Sequence, residues 1–160
     1  MVSLEDLKGI ALFEDLTDTM LERLLPVARI ESLDERQIIY EEGAAADQFY
    51  SVKKGKVLLE AELAPAVIIA LGSIKPRYSF GWSALFPEVS HRSYAVCAEP
   101  SDIIAIPGEK LVKELDSDRT MGFLVMQKSA QILENRLERR TAQFLKVITK
   151  HPEIGALLGL

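Results

Sequence analysis

The residues best placed for chemistry lie between 80 and 98. They read Phe80-Gly81-Trp82-Ser83-Ala84-Leu85-Phe86, then Pro87 to His91, then Arg92-Ser93-Tyr94-Ala95-Val96-Cys97-Ala98. This is a glycine turn, a single helical turn, a short loop and a strand opened by Arg-Ser. In such a unit the backbone N–H groups at the helix start point into the loop and favour an anion. Arg92 can add two parallel hydrogen bonds to a phosphate, each charge-assisted bond contributing roughly 1.5–3 kcal/mol. Gly81, Trp82, Ser83, Arg92 and Ser93 are therefore the candidate ligand-binding residues. Each also has a plain structural reading. Arg92 would pair with Glu88, Ser93 would bond locally, Trp82 would be a core or lid aromatic, and Cys97 a small filler. His91 reads as a solvated loop residue.

Nothing else in the chain suggests bond-making chemistry. No nucleophile–base pair or paired-carboxylate setting is visible, so no enzyme is expected. Cys97 is the single cysteine, and His91 and His151 are far apart in sequence, so neither a disulfide nor a metal site is expected. Lys and Arg number 19 against 24 Asp and Glu, a net charge of −5, which offers no global attraction to nucleic acid or to an anionic membrane. The N-terminus carries acids and no sustained apolar run, and no stretch approaches the ~20 apolar residues needed to span a bilayer. A cytoplasmic location is expected.

Helices and short strands must position the site. Residues 3–12 read as a helix starting at Ser3, and Thr17 as the N-cap of a second that Pro26 closes. From about 27 to 106, short apolar runs are broken by turn residues roughly every eight to twelve positions. Strands are expected at 27–33, 37–40, 48–53, 56–63, 66–71, 91–98 and 102–106, with a tight hairpin at Lys54-Gly55. Val57, Leu59, Ala61 and Leu63 alternate with Glu60 and Glu62, the pattern of a small antiparallel sandwich or barrel. A short helix follows at 109–115. Ser117 or Asp118 then caps a long one reaching about 148. Met126, Ala130, Leu133, Leu137, Phe144 and Val147 recur on it at three- and four-residue steps, interrupted at Arg140. The plain reading is a long helix packed on its own domain; a helix of ~30 residues is ~45 Å long, more than a small barrel is wide, which favours a homodimer seam along residues 118–148.

Three blocks resemble the cyclic-nucleotide-binding domain of bacterial catabolite-activator-type regulators and cyclic-nucleotide-dependent kinases. The first is Leu12-Phe13 with Leu16-Thr17-Asp18 and Leu21. The second is Glu42-Gly43, Asp47, Tyr50, Val52, Gly55 and Val57. The third is the cassette itself, where the distance from Gly81 to Arg92-Ser93 equals that in catabolite activators. The resemblance covers about residues 3–148. It implies an α+β, mainly β fold: a jelly-roll of about eight antiparallel strands with the cassette and its Arg92 facing the sheet interior, flanked by N-terminal helices and a long C-terminal helix. It also implies a division into a β-roll domain (1–116), a dimerisation helix (117–150) and a tail (151–160). Arg92 and Ser93 match the phosphate-contacting pair and Gly81 the glycine whose backbone approaches the ligand, with no cofactor implied beyond cyclic AMP or cyclic GMP as effector. Three positions depart from the pattern. Trp82 stands where the family's glutamate binds the ribose 2′-hydroxyl; its donor-only indole cannot accept that bond, and its bulk would crowd the ribose space. Arg77-Tyr78 stands where Gly-Asp is common. The function implied is regulatory sensing of a cyclic nucleotide or another small anion, signalled through the dimer helix. The other reading is a ligand-free structural domain with a vestigial pocket. A helix-turn-helix often follows the long helix in these relatives; 151–160 cannot build one, so no direct nucleic-acid binding is expected.

Overall fold

The computed structural model describes residues 1–151 and residue 154. The rest of the expected tail, 152–153 and 155–160, lies outside the described residues. The chain forms two units, one running Met1–Val125 and the other beginning at Met126.

Local side-chain chemistry starts the helices. Ser3 caps α1 (Leu4–Lys8) in a reciprocal box, its hydroxyl accepting from the Asp6 amide while the Asp6 carboxylate accepts from the Ser3 amide. The expected helix over 3–12 is shorter than its pattern. It stops at Gly9, and a 3₁₀ turn at Ala11–Phe13 follows. Thr17 caps α2 (Asp18–Glu22) through the Met20 amide. A second 3₁₀ turn, Leu25–Val27, carries Pro26 and delivers the chain to the sheets.

Eight antiparallel strands follow: β1 (Arg29–Leu33), β2 (Ile38–Tyr40), β3 (Gln48–Lys54), β4 (Val57–Ala64), β5 (Val67–Ile74), β6 (Ser79–Phe80), β7 (Tyr94–Cys97) and β8 (Ser101–Pro107). They make two four-stranded sheets, ordered β1-β8-β3-β6 and β2-β7-β4-β5. This is the jelly-roll arrangement expected. Its core draws on both sheets, with Tyr50, Val52, Phe80, Ile103 and Ala105 from the first and Val57, Ile74 and Ala95 from the second. Alternation explains the faces. Tyr50 lies in this core, whereas Phe49 turns the other way to meet Phe13, ring centroids 6.3 Å apart. Leu59 packs on the core, while its neighbour Glu60 is buried on the opposite side and paired with Arg36 at 3.2 Å. Strand β6 was not anticipated. It has two residues, held by pairing with Tyr50 and Ser51 of β3.

Two helices close the order, α3 (Gly108–Ser117) and α4 (Arg119–Lys150). Of the two expected caps, Asp118 is the one used, its carboxylate accepting from the Met121 amide at 3.0 Å. Arg23, the C-cap of α2, reaches both Glu114 at 2.7 Å and Asp118 at 3.2 Å, tying the N-terminal helices to this junction. In α4, Met121 and Val125 are fully buried and belong to the first unit. From Met126 onward, Met126, Leu133, Leu137, Phe144 and Val147 are all exposed.

Gly108 fixes how closely α3 approaches the preceding structure. Its amide donates to the Asp47 carbonyl, and a Cβ there would lie 2.1 Å from the Ala84 carbonyl oxygen. Backbone has no flexible end to move aside. Gly108→Ala is expected to lower stability by about 1–3 kcal/mol or more, the scale of overpacking in a tight core. A thermal melt of the variant beside the wild-type protein measures it.

Candidate functional site

The site begins at a turn. Lys75-Pro76-Arg77-Tyr78 closes through the Tyr78 amide and the Lys75 carbonyl, 3.2 Å apart. Proline at the second position and a positive φ of 77° at Arg77 are the marks of a type II turn. Arg77 thus holds the left-handed conformation that glycine would take freely, a cost of roughly 1–2 kcal/mol. Its contacts offset the strain. The backbone carbonyl accepts from Ala11, the amide donates to Val52, and Nε donates to the Gly9 carbonyl at 3.3 Å.

Strand β6 then delivers the chain to Gly81, at φ 71°, ψ 29°. A Cβ here would sit 2.8 Å from both the Gln48 carbonyl oxygen and Cδ2 of Tyr50. Both the conformation and the space therefore demand glycine. One 3₁₀ turn follows, Trp82–Leu85, closed by the Ala84 amide on the Gly81 carbonyl.

The loop after this turn is zipped to the segment before β3. The Ala46 amide donates to Val89, the His91 amide to Ala44, and the Gly43 amide to the His91 carbonyl, at 3.0, 2.9 and 2.8 Å. Arg92 and Ser93 follow at once and lead into β7. Glu42-Gly43 is indeed a turn, and it serves to hold the arginine-bearing loop.

The candidate residues separate into an inner and an outer set. Gly81 is buried and Ser83 and Ser93 are half-buried. Trp82 does not enter the core between the sheets. Its ring stands edge-on to Phe49, centroids 5.5 Å apart, and Nε1 donates to the Ser79 carbonyl. Phe49 belongs to the face of β3 turned toward Phe13, so the indole is anchored on that face. Arg92 is exposed and, among the described residues, has no ion-pair or hydrogen-bond partner. The guanidinium was expected inside the roll. With no acid facing it, burial would carry a desolvation cost of several kcal/mol, so it stays in water. The pairing with Glu88 is not made either.

Sequence reasoning missed the residue beside it. His91 is 5% exposed and stacks flat on Tyr40, centroids 3.5 Å and planes 5° apart. Tyr40 continues the stack to Tyr50 at 5.8 Å and Phe80 at 6.0 Å. Four rings thus fill the interior next to the loop. Burial, reinforced by the Glu31 and Asp47 carboxylates, pushes the Tyr50 phenol up to about 12, so it stays protonated. Burial also raises the Cys97 thiol, against a hydrogen bond with Ser101, which suits a buried filler better than a reactive group. The signal for Arg77 was Pro76 before it. For His91 only its partner Tyr40, far away in sequence, could have shown it.

The profile of the cyclic nucleotide-binding domain matches residues 30–118. No curated protein matches the chain. Among solved structures, it resembles a candidate cyclic nucleotide-binding protein from Geobacter metallireducens, at 25% identity and TM-score 0.74, covering 86% of this chain and 99% of that one. The catabolite activator protein of Thermus thermophilus gives 23% identity and TM-score 0.70 over 87% of this chain and 63% of its own. The regulatory domain of Toxoplasma gondii PKA, solved with cAMP, gives 18% and 0.66 over 82% and 48%.

Burial pulls the His91 pKa below the ordinary histidine value, opposed by the Asp47 carboxylate. The unfolded chain, at about 6.5, therefore takes up the proton first. The stability His91 confers is whole above about 6.5 and is lost as pH falls toward the folded-state pKa. His91→Phe keeps a flat ring on Tyr40 without a titrating group. Urea midpoints measured from about pH 7.5 down to 5 should fall less steeply for this variant than for the wild type.

Proposed function

This chain belongs to the cyclic nucleotide-binding domain family, and we propose that it is a regulatory sensor that binds a small anionic ligand and signals through a homodimer along α4. The observation that carries the reading is the cassette. Gly81 is locked left-handed against β3, and Arg92-Ser93 are presented at the far end of a loop clamped by three backbone hydrogen bonds. Family resemblance puts arginine and serine at phosphate-contacting positions and glycine where the backbone approaches the ligand. Cyclic AMP and cyclic GMP are the first ligands to consider. The ribose half of the pocket lacks its usual carboxylate, since Trp82 occupies that position and spends its N–H on Ser79. Recognition then rests on the phosphate, and other small phosphate-bearing anions fit the same reading. An exposed guanidinium free of protein partners suits capture of such a group. The role is binding rather than catalysis, exercised in the cytoplasm.

The dimer reading rests on α4. Phe123, Met126, Ala130, Leu133, Leu137, Phe144 and Val147 keep three- and four-residue steps with Arg140 as the one polar position, and all of these apolar residues are exposed. A seam of this spacing is what two supercoiled helices bury between them. A ligand that changes cassette packing would bias that dimer.

A second reading is a structural domain that only dimerises. The Tyr40–His91 stack favours it, because it occupies interior space beside Arg92.

Two measurements separate these. Cyclic AMP, cyclic GMP and inorganic pyrophosphate are screened by thermal shift. At about a hundredfold excess over Kd, a bound ligand stabilises by about 2.7 kcal/mol, a rise of several degrees that Arg92→Ala should remove. No rise with any compound, beside an intact dimer, would leave the structural reading. Light scattering on a sizing column should give twice the chain mass for the wild type and the single-chain mass for Leu133→Asp combined with Leu137→Asp.

A further inference from the structure

A concave surface lies between the cassette and the start of α3. It encloses about 670 Å³, within the range of ligand-binding clefts. One wall is the cassette, with Leu85, Phe86 and Pro87; the other is the start of α3, with Pro107 and Val112. The head of β3 forms the floor. There Gly108 donates to the Asp47 carbonyl and sits hard against Ala84, so the floor is rigid backbone. The chemistry is one-sided. The walls are mostly apolar, and among the described residues the charged ones lining it are Asp47 and Glu109, both carboxylates. Lys110 approaches Glu109 at 3.6 Å, but both side chains are at least half exposed, so this pair leaves the rim acidic. Phe86, at the rim, is 58% exposed, a large apolar area for a residue within a short turn.

We propose that this groove docks a peptide segment of a partner protein that carries a lysine or arginine beside an apolar anchor. The anchor seats between Phe86 and Val112, and the cation lies against Glu109 and Asp47. Complementary charge orients the segment and favours basic partners over acidic ones. The apolar anchor supplies the affinity, as buried aromatic and aliphatic contacts do at interface centres. Docking here does not rest on the ligand reading above. It gives the domain a contact surface whose two walls are the cassette and α3, separate from the α4 seam.

The test uses the whole chain and a fluorescein-labelled peptide of alternating leucine and lysine, with its leucine–glutamate counterpart as control. Anisotropy is read at about 0.15 M salt, where charges more than ~8 Å apart are largely screened. The lysine peptide should bind the wild type, and the glutamate peptide should not. Phe86→Ser and Glu109→Lys should each weaken binding about tenfold or more. Glu99→Lys makes the same charge change in the β7–β8 turn, away from the groove, and should shift affinity less than about twofold. Circular dichroism confirms that each variant is folded. Equal losses for Glu99→Lys and Glu109→Lys would reduce the effect to net charge and overturn the proposal. So would binding of the glutamate peptide, no binding of the lysine peptide, or binding of phenethylamine alone, which would assign the groove to a small amine.

Discussion

Gly81 is held from two directions. Its left-handed φ excludes most side chains sterically, and the Gln48 carbonyl and Tyr50 ring close the space where a Cβ would go. From this point β6 ends, a single 3₁₀ turn starts, and Trp82 is sent toward Phe49 instead of into the roll. Tyr50, pinned against Gly81, also stacks on Phe80 at 5.1 Å and begins the ring series that ends on His91. The arginine-bearing loop thus rests on the same bend that opens the cassette. Relaxing the contact between Gly81 and β3 would disturb both ends of the unit together.

The interior near the cassette owes its character to aromatic stacking rather than to a polar network. Offset and tilted ring pairs each add about 0.5–1.5 kcal/mol beyond burial. The Tyr40–His91 pair is the closest and flattest of them. A histidine in this position is useful only while neutral, because its charged form would have to leave a dry, ring-lined space or gain a partner. Nearby, the backbone of residues 43–46 clamps 89–91 without any side-chain participation. Arg92 therefore hangs from a rigid support while its own side chain is exposed.

Much of this architecture was legible because it is local. Ser3, Thr17 and Asp118 cap helices through side-chain oxygens acting on amides three residues away, so short windows suffice. Strands β3, β4 and β8 announce themselves by alternation or by a run of β-branched residues. What was not legible depends on distant partners. Strand β6 exists only because β3 pairs with it. Glu60 reads as a solvent-facing acid until Arg36 folds over it. The direction of Trp82 is set by which side of β3 Phe49 occupies, and the burial of His91 by Tyr40. Both facts belong to the packing of the two sheets, which pattern alone does not contain.

Trp82 is the chain's single tryptophan, and it sits inside the cassette, edge-on to Phe49 and bonded to the Ser79 carbonyl. Intrinsic emission excited at the indole band thus originates from one place, the turn that follows Gly81. The protein carries a built-in optical probe of that turn. Changes in wavelength or quenching can be followed without a label, and they are free of background from any other indole.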